Sequence, residues 1–453
     1  MKKIMASALS VMLLTSLLTG CATSGSSTSP SSGSTSTQSP SDAGSSGEQV
    51  KLTYYSTSAE VNTMFEEMFV EYNKLNPNVV IELIPTGVGQ GQSEKLQSLY
   101  ASNNAPTFMN VDPSTALEYK EHLATFSKTD MPWMEQLNND AIEAGTFDGG
   151  IYGVGFSTQG YGLIYNKRVV EEVIPAFDPF TIKTRDDLEA FFIKLDGAGI
   201  APTMLHGANW SLGAHYLGLS YAVQSPQTQG GKDFIAGLIN GEIDIAADPI
   251  FNGYMDTLDL LAKYNYNKAD PLVADINIDD QVLAQGKAAS YFMGDWIWSI
   301  IGPMEDRDDE FGYIPVPWSN DPEAYGNTQV VVNIPKVMAV NASQATPEQQ
   351  KAAFDCLAWM LTDPAGQKYF IDAGFAMPVK NLPDNVEYNS ATQGIQSYVD
   401  AGRTINIGCF VYMTGDAWAQ TGDLMLRYLV KDIDRAQLAE GINTYWQSQE
   451  VIN

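Results

Sequence analysis

From Val50 onward the chain alternates between short β-rich runs and longer stretches with apolar residues at helical spacing. VKLTYYS reads as a strand, EVNTMFEEMFVEYNKLNP as a helix stopped at Pro77, and NVVIELIPTG as a second strand. QSEKLQSLYASN, APTFMNVD and PSTALEYKEHLATF continue the series as helix, strand and helix. Such alternation implies a mostly parallel sheet covered by helices. The stretch from Val50 to Asn453 is too long for one core, so two α/β lobes are expected. No repeat with a solenoid period is visible.

The rhythm breaks at IYGVGFSTQGYGLIYNKRVVEE, where two strand-like pieces flank a polar turn before a helix near Lys167. This is a natural place for the chain to cross between lobes. Helical patterns dominate from about 185 to 265, and TQVVVNIPKVMAV looks like a strand returning to the first lobe. TPEQQKAAFDCLAWMLTDPAGQKYFIDAG supplies two amphipathic helices, the first capped by Thr346 with Glu348 in its opening turn. The expected lobes are 50–158 with 328–374, and 159–327 with 375–453, with crossings near Gln159, Asn327 and Gly374.

Ahead of Val50 lies a different kind of chain. Residues 1–20 read as a signal peptide: Lys2 and Lys3 precede an apolar stretch too short to span a bilayer comfortably. Leu18-Thr19-Gly20-Cys21 follows the lipobox pattern, in which Cys21 takes lipid and becomes the mature N-terminus. Residues 21–49, rich in Ser, Thr, Gly and Pro, have little apolar area to bury and read as a solvated tether. A flexible chain of that length reaches on the order of 30 Å. The expected location is the extracellular face of the cell membrane, with the membrane touched through the lipid anchor only.

A formal charge of −29 with only 25 Lys and Arg argues against nucleic acid or an anionic membrane surface as partner. Three cysteines and three scattered histidines offer no zinc pattern, and neither metal nor cofactor is expected. Cys356 and Cys409 either pair or remain as buried thiols. DINIDD (275–280) departs from a calcium loop at its sixth and twelfth positions and reads as a solvated acidic turn. DRDDE (306–310) reads as a loop charge run, GVGQGQ lacks a following GK[ST], and no G-x-S-x-G occurs.

The aromatic candidates centre on QGKAASYFMGDWIWSI, in which Asp295 and Trp296 stand side by side. A sugar ring offers apolar C–H faces and a belt of hydroxyls. An aromatic plane suits the first and a carboxylate the second. Core packing is the competing account of Trp296. Trp210 either caps a pocket or staples the helix it begins, and Trp418 lies beside Asp416 near a helix start. Ligands of open α/β sheets bind beyond the carboxyl ends of strands, which singles out Tyr55, Ser56 and Glu60 after the first strand and Asp112 after TFMNV. A helix N-cap is the alternative for Asp112. Gln159 lies in the proposed crossing.

Four stretches in order resemble the extracellular solute-binding proteins of ABC importers, the carbohydrate-binding group that includes maltose-binding protein. They are the lipobox with its tether, GYGLIYNKRVVEE, LAQGKAASYFMGDWIWSI and FDCLAWMLTDPAGQKYFIDAGFAMPV. The resemblance implies a two-lobed, type II periplasmic-binding-protein-like α/β fold, each lobe a mostly parallel sheet flanked by helices. It further implies a monomer that closes on a carbohydrate ligand and delivers it to ABC permease subunits without turnover. It casts Trp296 as the stacking ring and Trp298 as a more buried support. A glycoside hydrolase is the rival class, though neither a barrel nor a sandwich pattern is present. The same fold binding a non-sugar solute is the third reading.

Overall fold

The computed structural model describes residues 49–451 apart from 88–91, 274, 385 and 414; Cys21 and nearly all of the tether lie outside the described residues. Five strands form the first sheet: β1 (Val50–Ser56), β2 (Val79–Pro85), β3 (Phe108–Val111), β6 (Val154–Gly155) and β11 (Val337–Val340), in the order β2-β1-β3-β11-β6. Between them, β4 (Thr146–Phe147) and β5 (Gly150–Ile151) make a small hairpin. The second sheet runs β12-β10-β7-β8, built from β7 (Gln159–Asn166), β8 (Ser290–Gly294), β10 (Val330–Asn333) and β12 (Thr404–Ile405). In that sheet β9 (Phe311–Ile314) also pairs with β7.

The helix Asn62–Leu75 illustrates how the sequence makes the first lobe. Phe65, Met68, Phe69 and Tyr72 recur at i, i+3, i+4 and i+7, so one stripe is buried. That stripe meets Tyr54 of β1, whose ring lies 4.9 Å from Phe65 and 4.7 Å from Phe108 of β3. Burying each such side chain stabilises the fold by about 1.5–3 kcal/mol. Thr346 and Gln349 form a reciprocal capping box at the helix Pro347–Thr362, which packs on β1. In the second lobe all of β7 is buried, because helices cover both of its faces. Cys356 and Cys409 are free and buried in different cores.

Several expectations are corrected. The sheets are mixed: β1 runs parallel to β2 and β3, but β11 is antiparallel to β3, and β7 is antiparallel to β8, β9 and β10. TQVVVNIPKVMAV is two strands, since β10 pairs with β7 and β11 with β3. Pro335 cannot donate to a ladder, and the chain passes between the sheets at 334–336, not at 327. Phe375, Met377 and Val379 still belong to the first core, and the next helix, Ser390–Asp400, to the second. The third passage therefore follows Val379. Gly374, at φ +90°, ends the helix Pro364–Asp372.

DINIDD is not a solvated turn. Ile276–Ala284 is helical, Asp279 and Asp280 are buried, and Asp279 Oδ2 lies 2.7 Å from His206 Nδ1. DRDDE is a loop, as read, but Asp308 takes two hydrogen bonds from Arg168, which hold its carboxyl below the usual range. Trp298 is only half-buried, beneath the Arg307 guanidinium at 4.7 Å, whereas Ile297 is fully buried. A short 3-10 turn, Asp295–Ile297, replaces strand alternation and sends the alternate residues inward. Ile297→Ala should therefore cost about 2–5 kcal/mol in denaturant unfolding, and Trp298→Ala less.

Candidate functional site

The segment Trp210–Leu217 is a π-helix. Its i→i+5 bonding widens the turn and brings residues five apart onto one face. Trp210 and His215 accordingly meet edge to face, centroids 5.4 Å apart. Glycine makes the close packing possible, because a Cβ on Gly213 would stand 2.2 Å from the Trp418 carbonyl oxygen. The His215 ring stacks on Tyr161 of β7 at 4.6 Å and leans on Trp296 at 5.1 Å. Tyr161 Oη donates to the His215 carbonyl at 3.4 Å. Trp210, His215 and Trp296, each half-buried, thus form one aromatic surface, backed by the buried ring of Tyr161.

Charged groups from the first lobe stand near it. Asp112 follows β3, and its Oδ1 lies 2.9 Å from Nζ of Lys336 in the passage between β10 and β11. Asp112 occupies an N-cap position but its side chain makes no cap bond. Glu60, in the turn after β1, is pushed up by burial, an effect opposed by a backbone hydrogen bond and by Lys336. His215 is lowered to about 4, chiefly by its enclosure, with Asp112 opposing and Lys336 adding to the effect. Glu60, Asp112, Lys336 and His215 therefore share one electrostatic neighbourhood beyond the carboxyl ends of β1 and β3.

The structure brings together Trp296, Trp210, Asp112 and Glu60, and adds Tyr161, His215 and Lys336, which sequence reasoning missed. His215 carried one signal, its five-residue spacing from Trp210. Lys336 carried another, as the lone cation in NIPKVMAV. Trp418 is half-buried on the helix Ala417–Leu429, which packs on the π-helix. Other candidates point inward. Tyr55 is fully buried and donates to the Gln92 carbonyl at 2.6 Å, and Ser56 is fully buried. Gln159 is buried at the start of β7. Asp295 is 2% exposed, and its Oδ1 accepts from Gly160 N–H at 3.2 Å. It braces the platform instead of facing a ligand. An apolar recess lined by Tyr161, Tyr254, Phe292 and Ile405 belongs to the second core.

The lobes also touch further out. The turn Gly408–Tyr412 of the second lobe packs on the helix Pro113–Glu118, and Val411 joins the apolar cluster of Leu96, Val111 and Leu117.

Comparison with known proteins assigns the architecture. Residues 55–367 match the family of bacterial extracellular solute-binding proteins, and the chain belongs to that family. An uncharacterised ABC transporter extracellular-binding protein of Pyrococcus horikoshii is 26% identical over 280 residues, 60% of this chain. The match spans 61% of that relative's length, less than two thirds. RafE, known in apo form from Streptococcus pneumoniae, has a structure in complex with raffinose. It superposes with a TM-score of 0.73 at 18% identity, covering 88% of this chain and 99% of that one. A Bacillus licheniformis sugar transporter in complex with stachyose gives 0.69 at 17% identity, with 88% and 100% covered. At such identities the likeness concerns the fold, which is the two-lobed type II fold of family 1 solute-binding proteins.

The depressed His215 has a consequence for acid stability. A histidine held below its ordinary value stabilises the fold above about 6.5, and that stability is lost as pH falls toward the folded value. Thermal unfolding between pH 7 and 4 should fall more steeply for the wild type than for His215→Gln.

Proposed function

We propose that the chain is an extracytoplasmic lipoprotein that captures a sugar, probed best as an oligosaccharide, by closing its lobes, and passes it to an ABC permease. The observation that carries this reading is the ring cluster of Trp210, His215 and Trp296, backed by the buried Tyr161, beside Asp112, Glu60 and Lys336. Rings grip the apolar faces of a pyranose, and the polar groups take its hydroxyls. A neutral His215 and a paired Asp112 suit an uncharged ligand. Contacts from both lobes would favour the closed form. The protein acts as a monomer and binds without turnover, and membrane contact runs through lipid on Cys21 alone.

Titration calorimetry against raffinose, stachyose and maltotriose tests the reading. Binding without shorter products is expected; products would mean a glycoside hydrolase, and failure of every sugar would favour another solute. Trp296→Ala should weaken binding by roughly thirtyfold or more, as loss of a buried aromatic anchor does. Because Trp296 also packs against the apolar cores, some thermal stability should go with it.

Cys21→Ser should release the protein from the membrane fraction into the medium. Retention as firm as that of the wild type would refute the anchor.

A further inference from the structure

The β7–β8 ladder ends at Tyr161 opposite Gly294. One step beyond, the Asp295 side chain takes the place of a strand carbonyl, accepting from Gly160 N–H at 3.2 Å. The backbone N–H groups of Asp295 and Trp296 favour the same carboxylate. Gly160 is where β7 leaves the passage between the lobes, and a Cβ there would stand 2.7 Å from the Val331 carbonyl oxygen. The carboxyl thus holds three things in one geometry: the end of β8, the start of the crossing strand and the backbone of Trp296.

The opposite side of this carboxyl is unmatched. Among the described residues, Asp295 Oδ2 has no hydrogen-bond partner, and neither does the buried Oη of Tyr313, which senses the Asp295 charge. The elements packed on the turn Asp295–Ile297 are β7 and the helices Trp298–Ile301 and Ser390–Asp400. Their titratable groups are Tyr161 and Tyr165 on β7, and Tyr398 and Asp400 on the last helix. None of these is a cation. Across the lobes, the turn bearing Glu60 packs on the helix Trp298–Ile301, with Lys336 near that glutamate. His215 leans on Trp296.

We propose that Asp295 is a positioning residue that locks Trp296 to the crossing strand in its protonated form, and that ionisation loosens the lock and weakens ligand binding. The neutral acid keeps the Gly160 bond through Oδ1 and leaves no net charge at the buried Oδ2. The carboxylate leaves a buried charge without a counter-ion, which favours any conformation that admits water. Burial, opposed by the three backbone N–H groups, pushes Asp295 up to about 8. With its folded value raised, the stability it contributes is complete below the ordinary carboxylate range and is lost as pH rises toward 8.

The affinity part rests on the sugar-binding reading; the titration itself does not. The first measurement follows tryptophan emission and melting temperature of the ligand-free protein from pH 5 to 10. The wild type should show a step near pH 8, absent in Asp295→Asn and diminished in Trp296→Phe. Tyr313→Phe, which keeps the acid, should move the midpoint upward by removing a polar neighbour. The second measurement compares the raffinose and stachyose Kd at pH 6 and 9. A loss of at least fivefold is expected for the wild type and none for Asp295→Asn. A wild type with no emission step, or with one that Asp295→Asn or Tyr313→Phe leaves in place, overturns the proposal. A pH-dependent step without binding of either sugar supports the proton lock and counts against the sugar reading.

Discussion

Trp296 packs against three of the apolar cores at once, two beside the second sheet and one beneath the first. A half-buried indole at that junction ties three questions into one: how the second lobe is filled, how the lobes meet, and what a ligand would touch. Its position follows from a break in regular structure. A Cβ at Gly294 would fall 1.9 Å from the indole, so a glycine has to end β8, and the 3-10 turn then swings the ring back over the strand. His215 and Tyr161 close around it. The platform is held as a core residue is held, yet one part of it stays accessible.

Much of the fold was legible because it obeys periodicity. The stripe Phe65, Met68, Phe69, Tyr72 and the cap Thr346 can be read directly, since each needs only its own neighbours. Strand partners cannot be read this way. Nothing local in VVVNIPKVMAV separates two strands serving different sheets except Pro335, and apolar runs look alike on either side of it.

The site was legible by residue type and illegible by direction. Asp295 and Trp296 are neighbours, and chemistry recommends both for a sugar; only the turn after Gly294 sends one outward and the other toward Gly160. DINIDD misled for a related reason. Consecutive aspartates suggest solvent, but a helix turns every third or fourth residue inward, and Asp279 finds a buried His206 there. His215 and Lys336 escaped notice because their significance depends on a π-turn and on an interlobe passage, neither of which has a strong sequence signature.

The Val411 contact carries a thermodynamic implication. An apolar side chain from one lobe that docks on the other favours the arrangement in which the two lobes meet, whatever lies between them. If the lobes close on a ligand as proposed, apparent affinity would scale with the fraction of molecules already competent, and that outlying contact would act as a gain control. It would also set a limit on delivery, because the same attraction would have to be undone before a bound ligand could leave. A residue remote from the rings would then tune capture and release in opposite senses, leaving the choice of ligand untouched.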